Sequence, residues 1–380
     1  MRAIGLMSGT SMDGVDVALI ETDGEHIQSL GPAGIYAYQD EERDLLRQAV
    51  EDAAELSDRG ARPGILAEAE MLITEVHIQA VEAFLADYGF TREDVDVIGF
   101  HGQTVLHKPD EALTVQLGDG QRLAESLGID VVYDFRAADM AEGGQGAPLV
   151  PIYHRALVEM SGLPRPAVVV NLGGIANVTF IGEDGGLVAF DTGPGNAMID
   201  DWVFQNAGLR CDENGRLAAQ GQADASRVEA LLGDSYFILK PPKSLDRNAF
   251  SLEVVDGLSL EDGAATLTAF TVASLICGLA HLPAAPQIFV LSGGGTHNGT
   301  LTGNLRRLLP ARVEIADDIG WNAEAIEAQA FGFLAVRSLK GLPITFPGTT
   351  GAPQPITGGI VARPAAQSEG SEAGGSQRSY

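Results

Sequence analysis

GLMSGTSMDGVD, residues Gly5 to Asp16, decides the fold. Two apolar runs, Ala3 to Met7 and Val15 to Ile20, flank Ser8-Gly9-Thr10-Ser11-Met12-Asp13-Gly14, and runs separated by small turn-forming residues predict a β-hairpin. The intervening stretch is longer than a tight hairpin needs. Its exposed amides can cradle phosphate, although no Gly-Lys-Ser/Thr is present and the loop is therefore not of the Walker type. Gly9, Thr10, Ser11, Met12, Asp13, Gly14, Val15 and Asp16 are the candidate phosphate-binding residues. Asp13 and Asp16 can orient Mg²⁺ through water or cap the turn.

Downstream, residues 41–56 and 65–88 carry apolar residues at helical spacing with charges between, which predicts two helices lying on a sheet. A strand over Val95 to Phe100 follows and delivers His101-Gly102-Gln103-Thr104 at its carboxyl end, where α/β sheets bind ligands. The opening design then returns: Ala167 to Leu172, a turn at Gly173-Gly174-Ile175-Ala176-Asn177, and Val178 to Ile181. A third run, Leu187 to Phe190, ends in Asp191-Thr192-Gly193-Pro194-Gly195-Asn196, much as Val95 to Phe100 ends at His101. Such repetition predicts an α/β chain of two duplicated lobes with a cleft between them. The expected division is 1–165 and 166–324, with a helix at about 325–345 packing back on the first lobe and a disordered Ser/Gly tail at 364–380.

The chain has 380 residues, 45% of them hydrophobic, with 47 glycines and a net charge of −28. Its length suits two domains, and its acidity repels nucleic acid and anionic membranes. Cys211 and Cys277 lack metal-ligand or CxxC spacing and read as packed thiols. No signal-length apolar run precedes Ser8, which points to the cytoplasm. The apolar stretch Leu267 to Ala280 is short for a membrane span and reads as a buried helix. Between Gly263 and Leu305 no Asp, Glu, Lys or Arg occurs, so the strand Gln287 to Leu291 and the loop Ser292-Gly293-Gly294-Gly295-Thr296 are expected at depth. A homodimer is left open.

Asp191 sits at a strand end before a Gly-Pro-Gly turn, a place for a general base or for an aspartate that shapes its own loop. Glu324 and Glu327 share one face of the late helix. Arg136 can clamp a carboxylate in a fork, with a bridge to Asp134 or Asp139 as the plainer role. His101 can meet a ligand or hold its loop. Gly293, Gly294 and Gly295 let a flat ligand approach the backbone.

Taken together, GLMSGTSMDGVD, HGQT from His101, DFRAADMAEGGQGAPLVP from Asp134, NLGGIANV from Asn171, FDTGPGN from Phe190, SGGG from Ser292 and EAQAF from Glu327 closely resemble the anhydro-N-acetylmuramic acid kinases. These belong to the actin, hexokinase and heat-shock-70 ATPase superfamily. The resemblance covers nearly the whole chain. It implies a two-lobed actin-like fold of duplicated ribonuclease H-like type, with a five-stranded mixed sheet in each lobe. It further implies ATP with Mg²⁺ in the cleft, held by the first turn, Gly173, Gly174 and SGGG. The sugar 1,6-anhydro-N-acetylmuramic acid would be contacted by His101, Gln103, Arg136 and Asn196, with Asp191 as base and Glu327 holding the attacking water. Two competing readings are a kinase for another small acid or sugar, and an actin-like ATPase that polymerises.

Overall fold

The structure is a computed structural model that describes residues 1–9, 11–246 and 249–365. Two mixed sheets organise it. The first holds β1 (Arg2–Ser8), β2 (Gly14–Thr22), β3 (Ile27–Ala37), β4 (Val97–Lys108), β5 (Leu113–Leu117), β6 (Val131–Tyr133) and, from the far end of the chain, β12 (Ile360–Ala362). The second holds β7 (Ala167–Leu172), β8 (Ile175–Ile181), β9 (Leu187–Pro194), β10 (Ile288–Ser292) and β11 (Arg312–Ile315). The helices are α1 (Asp40–Ala53), α2 (Leu66–Tyr88), α3 (Gly120–Leu127), α4 (Ala137–Ala141), α5 (Pro151–Met160), α6 (Ala197–Ala207), α7 (Arg216–Gln220), α8 (Ala225–Leu232), α9 (Leu260–Gly278), α10 (Gly299–Leu308), α11 (Ile326–Leu339) and α12 (Pro347–Thr350).

Side chains of a strand alternate between faces, and here each face has its own cover. Ile4, Leu6, Val15 and Val17 point to one side and pack with Leu46 of α1, Ile73 and Phe84 of α2 and Leu123 of α3. Ala3, Ile20, Val97 and Val132 point to the other, into a core shared with α5, α11 and the inner residues Val169, Ile288 and Val290 of the second sheet. Val168, Val170 and Leu172 face outward against α9 and α10. A fourth cluster joins α6 to α9 with Tyr236 and Phe237. Helix α11 is buried around most of its surface, as a helix between two layers must be; its Phe331, Phe333 and Leu334 are buried, each contributing about 1.5–3 kcal/mol.

The order β6-β4-β1-β2-β3 recurs as β11-β10-β7-β8-β9, with antiparallel hairpins and a parallel neighbour at the same places. This corrects the alignment of the repeat drawn from sequence. The partner of the His101 strand is β10, which ends in Ser292, whereas the Asp191 strand corresponds to β3.

Several other expectations change. The first sheet has seven strands, not five, because β5 pairs antiparallel with an extended β4 and β12 adds an edge next to β6. His101 and Gln103 therefore lie within β4 rather than in a loop after it. Asp191 likewise lies inside β9, since the ladder with β8 runs on through Gly193 and Pro194. Both cysteines are free and exposed, so neither is a packed thiol. The stretch Leu260–His281 is long and apolar enough to span a membrane by composition alone, and 67% of its most apolar window is buried inside the protein.

Candidate active site

The first turn is built from within. Gln103 is fully buried; its Oε1 accepts from Ser8 Oγ, and its Nε2 donates to the Gly9 carbonyl at 3.3 Å. Ser8 Oγ also meets Tyr38 Oη at 2.7 Å. Met12 takes a left-handed backbone (φ 54°), donates its N–H to Gly9 and buries its side chain in the outer core. Ser11 Oγ donates to Asp13 Oδ1 at 2.8 Å, and the Tyr38 N–H donates to the Asp13 carbonyl. Val15 is a core residue. Thr10 lies outside the described residues.

Asp16, opposite Met7 in the hairpin, faces the start of α11. Burial pushes its carboxyl up to about 7, helped by repulsion from Asp13, Glu327 and Glu324. Helix α11 reaches this spot because nothing separates it from the sheet: a Cβ at Gly5 would strike the Ala328 carbonyl, and one at Gly99 the Phe331 carbonyl. Glu327, in the first turn of α11, keeps its side chain open to solvent, yet the protein around it desolvates the carboxyl and raises it, which nearby Arg136 opposes.

Arg136 is held rather than free. It donates to the Gly146 carbonyl at 2.8 Å and, through its other terminal nitrogen, to His101 Nε2 at 2.9 Å. Burial, opposed by Glu327 and Asp139, brings its guanidinium down to about 10. The bridges expected from sequence go elsewhere: Asp134 pairs with Arg59 at 2.5 Å, and buried Asp139 accepts from the Gly146 N–H, Thr345 and Thr350. His101 is packed on Phe331 and bonded through Nδ1 to the Gly102 carbonyl. Burial and Arg136 keep its ring well below the ordinary histidine range. A neutral ring with Nδ1–H leaves Nε2 to accept from Arg136.

At the second sheet, Ser292, Asn171, Asn177 and Asp191 stand in one row across β10, β7, β8 and β9. Gly173 and Gly174 make the hairpin turn, and their carbonyls accept from the N–H groups of Asn196 and Gly195. Gly293 lies against Asn171 and Leu172, Gly295 against Leu172, while the space over Gly294 is open. Asn196 Nδ2 donates to Asp200 at 2.6 Å. Burial raises Asp191 to about 6, against the opposing pull of the Leu245 N–H and Lys243. Among the described residues no hydrogen bond joins Asp191 to Glu327.

The site thus falls into two halves. Asp13, Asp16, Glu324, Glu327 and Arg136 gather at the first sheet, and glycine turns with Asp191 at the second. No cluster of three or more His, Cys, Asp or Glu with metal-ligand geometry occurs among the described residues. The model of the anhydro-N-acetylmuramic acid kinase family matches residues 1–363. The chain belongs to that family. Among similar curated proteins, the anhydro-N-acetylmuramic acid kinase of Rhodopseudomonas palustris strain HaA2 is 56% identical over 96% of this chain and 100% of its own. That of Methylobacterium nodulans is 54% identical at the same coverage. Among solved structures, component A of the (R)-2-hydroxyglutaryl-CoA dehydratase of Acidaminococcus fermentans is 14% identical, covering 90% of this chain and 99% of that one, with a TM-score of 0.48. In this member of the anhydro-N-acetylmuramic acid kinase family, sequence reasoning missed Tyr236 and Lys243 and named Asp139 only as a bridge partner for Arg136. A signal existed only for Asp139, inside the DFRAAD motif; Tyr236 and Lys243 reach the site through long-range contacts.

Proposed function

We propose that this protein is an ATP-dependent kinase that opens the anhydro ring of 1,6-anhydro-N-acetylmuramic acid with water and phosphorylates O6, giving N-acetylmuramic acid 6-phosphate and ADP. Membership of the family across residues 1–363 carries this reading, and the two-part site supports it. Asp191, with one carboxylate oxygen engaged by Leu245 and ionisation near pH 6, suits a general base working near neutrality. It takes a proton from water as the water oxygen bonds to C1. The C1–O6 bond breaks, O6 bonds to the γ-phosphorus, and the bond to ADP breaks. The proton on Asp191 then passes to solvent. Capture of O6 by phosphorus removes the need for a general acid. Glu327 would hold the attacking water.

Gly9 to Asp16, Gly173, Gly174 and Gly293 to Gly295 would receive ATP, with His101, Gln103, Arg136 and Asn196 on the sugar side. His101 and Gln103 already spend their polar groups on Arg136 and the first turn, so they act chiefly by holding those parts in place. Mg²⁺ would suit the first half of the site, where Asp13, Glu327 and Glu324 add to the burial that raises Asp16 and offer hard oxygen donors. Asp13 and Asp16 would hold it with waters, and bound there it neutralises phosphate charge. The lobes would be 1–165 with α11, and 166–324, closing on the substrates; the cytoplasm is the expected compartment. Incubation with ATP, Mg²⁺ and the anhydro sugar in ¹⁸O-water tests the reaction. Label at C1 with phosphate on O6 is expected; phosphorylated product without label would overturn it.

A further inference from the structure

Asp191 is gripped by one distant segment, residues 236–245. Tyr236 Oη donates to the Asp191 carbonyl at 2.5 Å, the Asp191 N–H donates to the Lys243 carbonyl at 3.0 Å, and the Leu245 N–H donates to Asp191 Oδ2 at 2.8 Å. Both main-chain groups and one carboxylate oxygen are so occupied, and Oδ1 accepts no hydrogen bond among the described residues. The grip is locked on itself by Lys243, which is 7% exposed. Its ammonium donates to the Tyr236 carbonyl at 3.0 Å and stands 4.3 Å from the centre of the Tyr236 ring and 6.0 Å from that of Phe190.

A lysine buried this deeply is costly unless its charge is used. The anions that face it are Asp191 and, from α9, the thiol of Cys277 if ionised. The other titratable neighbours are Tyr236, whose hydroxyl burial and Asp191 keep protonated, and His281, which meets the Phe237 carbonyl and the edge of Phe190. Asp246, next along the chain, has partners of its own.

We propose that Lys243 is a positioning residue: bonded to the Tyr236 carbonyl and set over its ring, it closes the 236–245 segment around Asp191 so that the Leu245 N–H stays on one carboxylate oxygen and Oδ1 is left to the substrate water. The inference rests on Asp191 being the base, and it adds the group that makes a buried aspartate able to serve as one. Desolvation alone would hold Asp191 protonated further up the pH scale; the Leu245 hydrogen bond to the charged form and, after it, the Lys243 cation work against that.

The test follows the Asp191 carboxyl directly, by ¹³C NMR of protein labelled at aspartate Cγ, assigned by comparison with D191N. In K243M the midpoint should rise by about one pH unit, as the hydrogen bond from Leu245 loosens and the neighbouring cation is lost together. K243R should restore it, and the acid limb of kcat/KM should move with it while the KM for ATP stays put. Y236F keeps the lysine charge and should leave the midpoint in place while lowering kcat. An unchanged midpoint in folded K243M overturns the proposal; if that variant does not fold, a midpoint that shifts in Y236F as far as about one unit overturns it instead, because the hydroxyl and not the ammonium would then set it. A midpoint that moves without the acid limb upholds the role of Lys243 and removes Asp191 as the base.

Discussion

The two sheets share a strand order but treat the helix between them differently. At corresponding places the first sheet sets Gly5 beside Gly99 and the second sets Val169 beside Val290. The glycines admit the backbone of α11 to contact, whereas the valines fill the shared core with their side chains. The difference teaches what each copy of the repeat is for. The glycine copy brings a carboxylate-bearing helix end to its hairpin turn, and the valine copy keeps its turns glycine-rich and open. A second contrast follows: the first hairpin turn is long and braced by Gln103, Ser8 and Tyr38, while the second is only Gly173-Gly174.

The contrast breaks most completely at the chemistry. D191N should lower kcat by about 10²–10⁴, the usual contribution of a general base, with nucleotide binding by calorimetry unchanged; activity near that of the parent would remove Asp191 from the mechanism. Next comes the helix contact. G5A puts a methyl group into the Ala328 carbonyl and should cost about 1–3 kcal/mol as overpacking does, read by urea unfolding, and should lower kcat as Glu327 moves. A neutral outcome would mean that α11 is not seated as described.

The braced turn should lose about 1–3 kcal/mol in Q103A, which removes two hydrogen bonds, from Ser8 Oγ and to the Gly9 carbonyl, and raise the KM for ATP. Y38F, on the same network, should cost about 0.5–1.5 kcal/mol. An equal loss of stability with an unchanged KM would separate the brace from nucleotide binding.

The smallest effect is in pH. Asp16 ionises near pH 7 in the folded protein against about 3.8 unfolded. Between those values the folded state binds the extra proton, so stability falls as pH rises from about 4 to about 7. D16N should flatten that fall, and Mg²⁺ should offset it above pH 7, both visible in the thermal midpoint of the ligand-free protein. A midpoint difference between D16N and parent that does not vary with pH would place the carboxylates apart.

Much of this was legible in the sequence. Alternating apolar runs marked both hairpins, and the uncharged stretch before Leu305 marked α9 and β10 as buried. The errors share one cause, which is pairing between distant segments. Gly193 and Pro194 look like loop residues, yet β8 continues to pair with them; Gly102 looks like a strand end, yet β5 returns to extend the ladder. The expected Arg136–Asp134 bridge failed because Arg59, far away in the chain, takes Asp134. Cys211 and Cys277 carry no period that could have told exposed from packed. The hold of segment 236–245 on Asp191 has no local signature at all.

The late arrival of α11 and β12 has a consequence for biosynthesis. The first sheet is made early, but its inner face and its β6 edge wait for residues 326–362. The second sheet, from β7 to β11, is complete before them. On the ribosome, the half made first should therefore be the half finished last, and a chain stalled just short of α11 would carry a formed glycine-turn half beside a first sheet whose inner face still lacks its α11 cover.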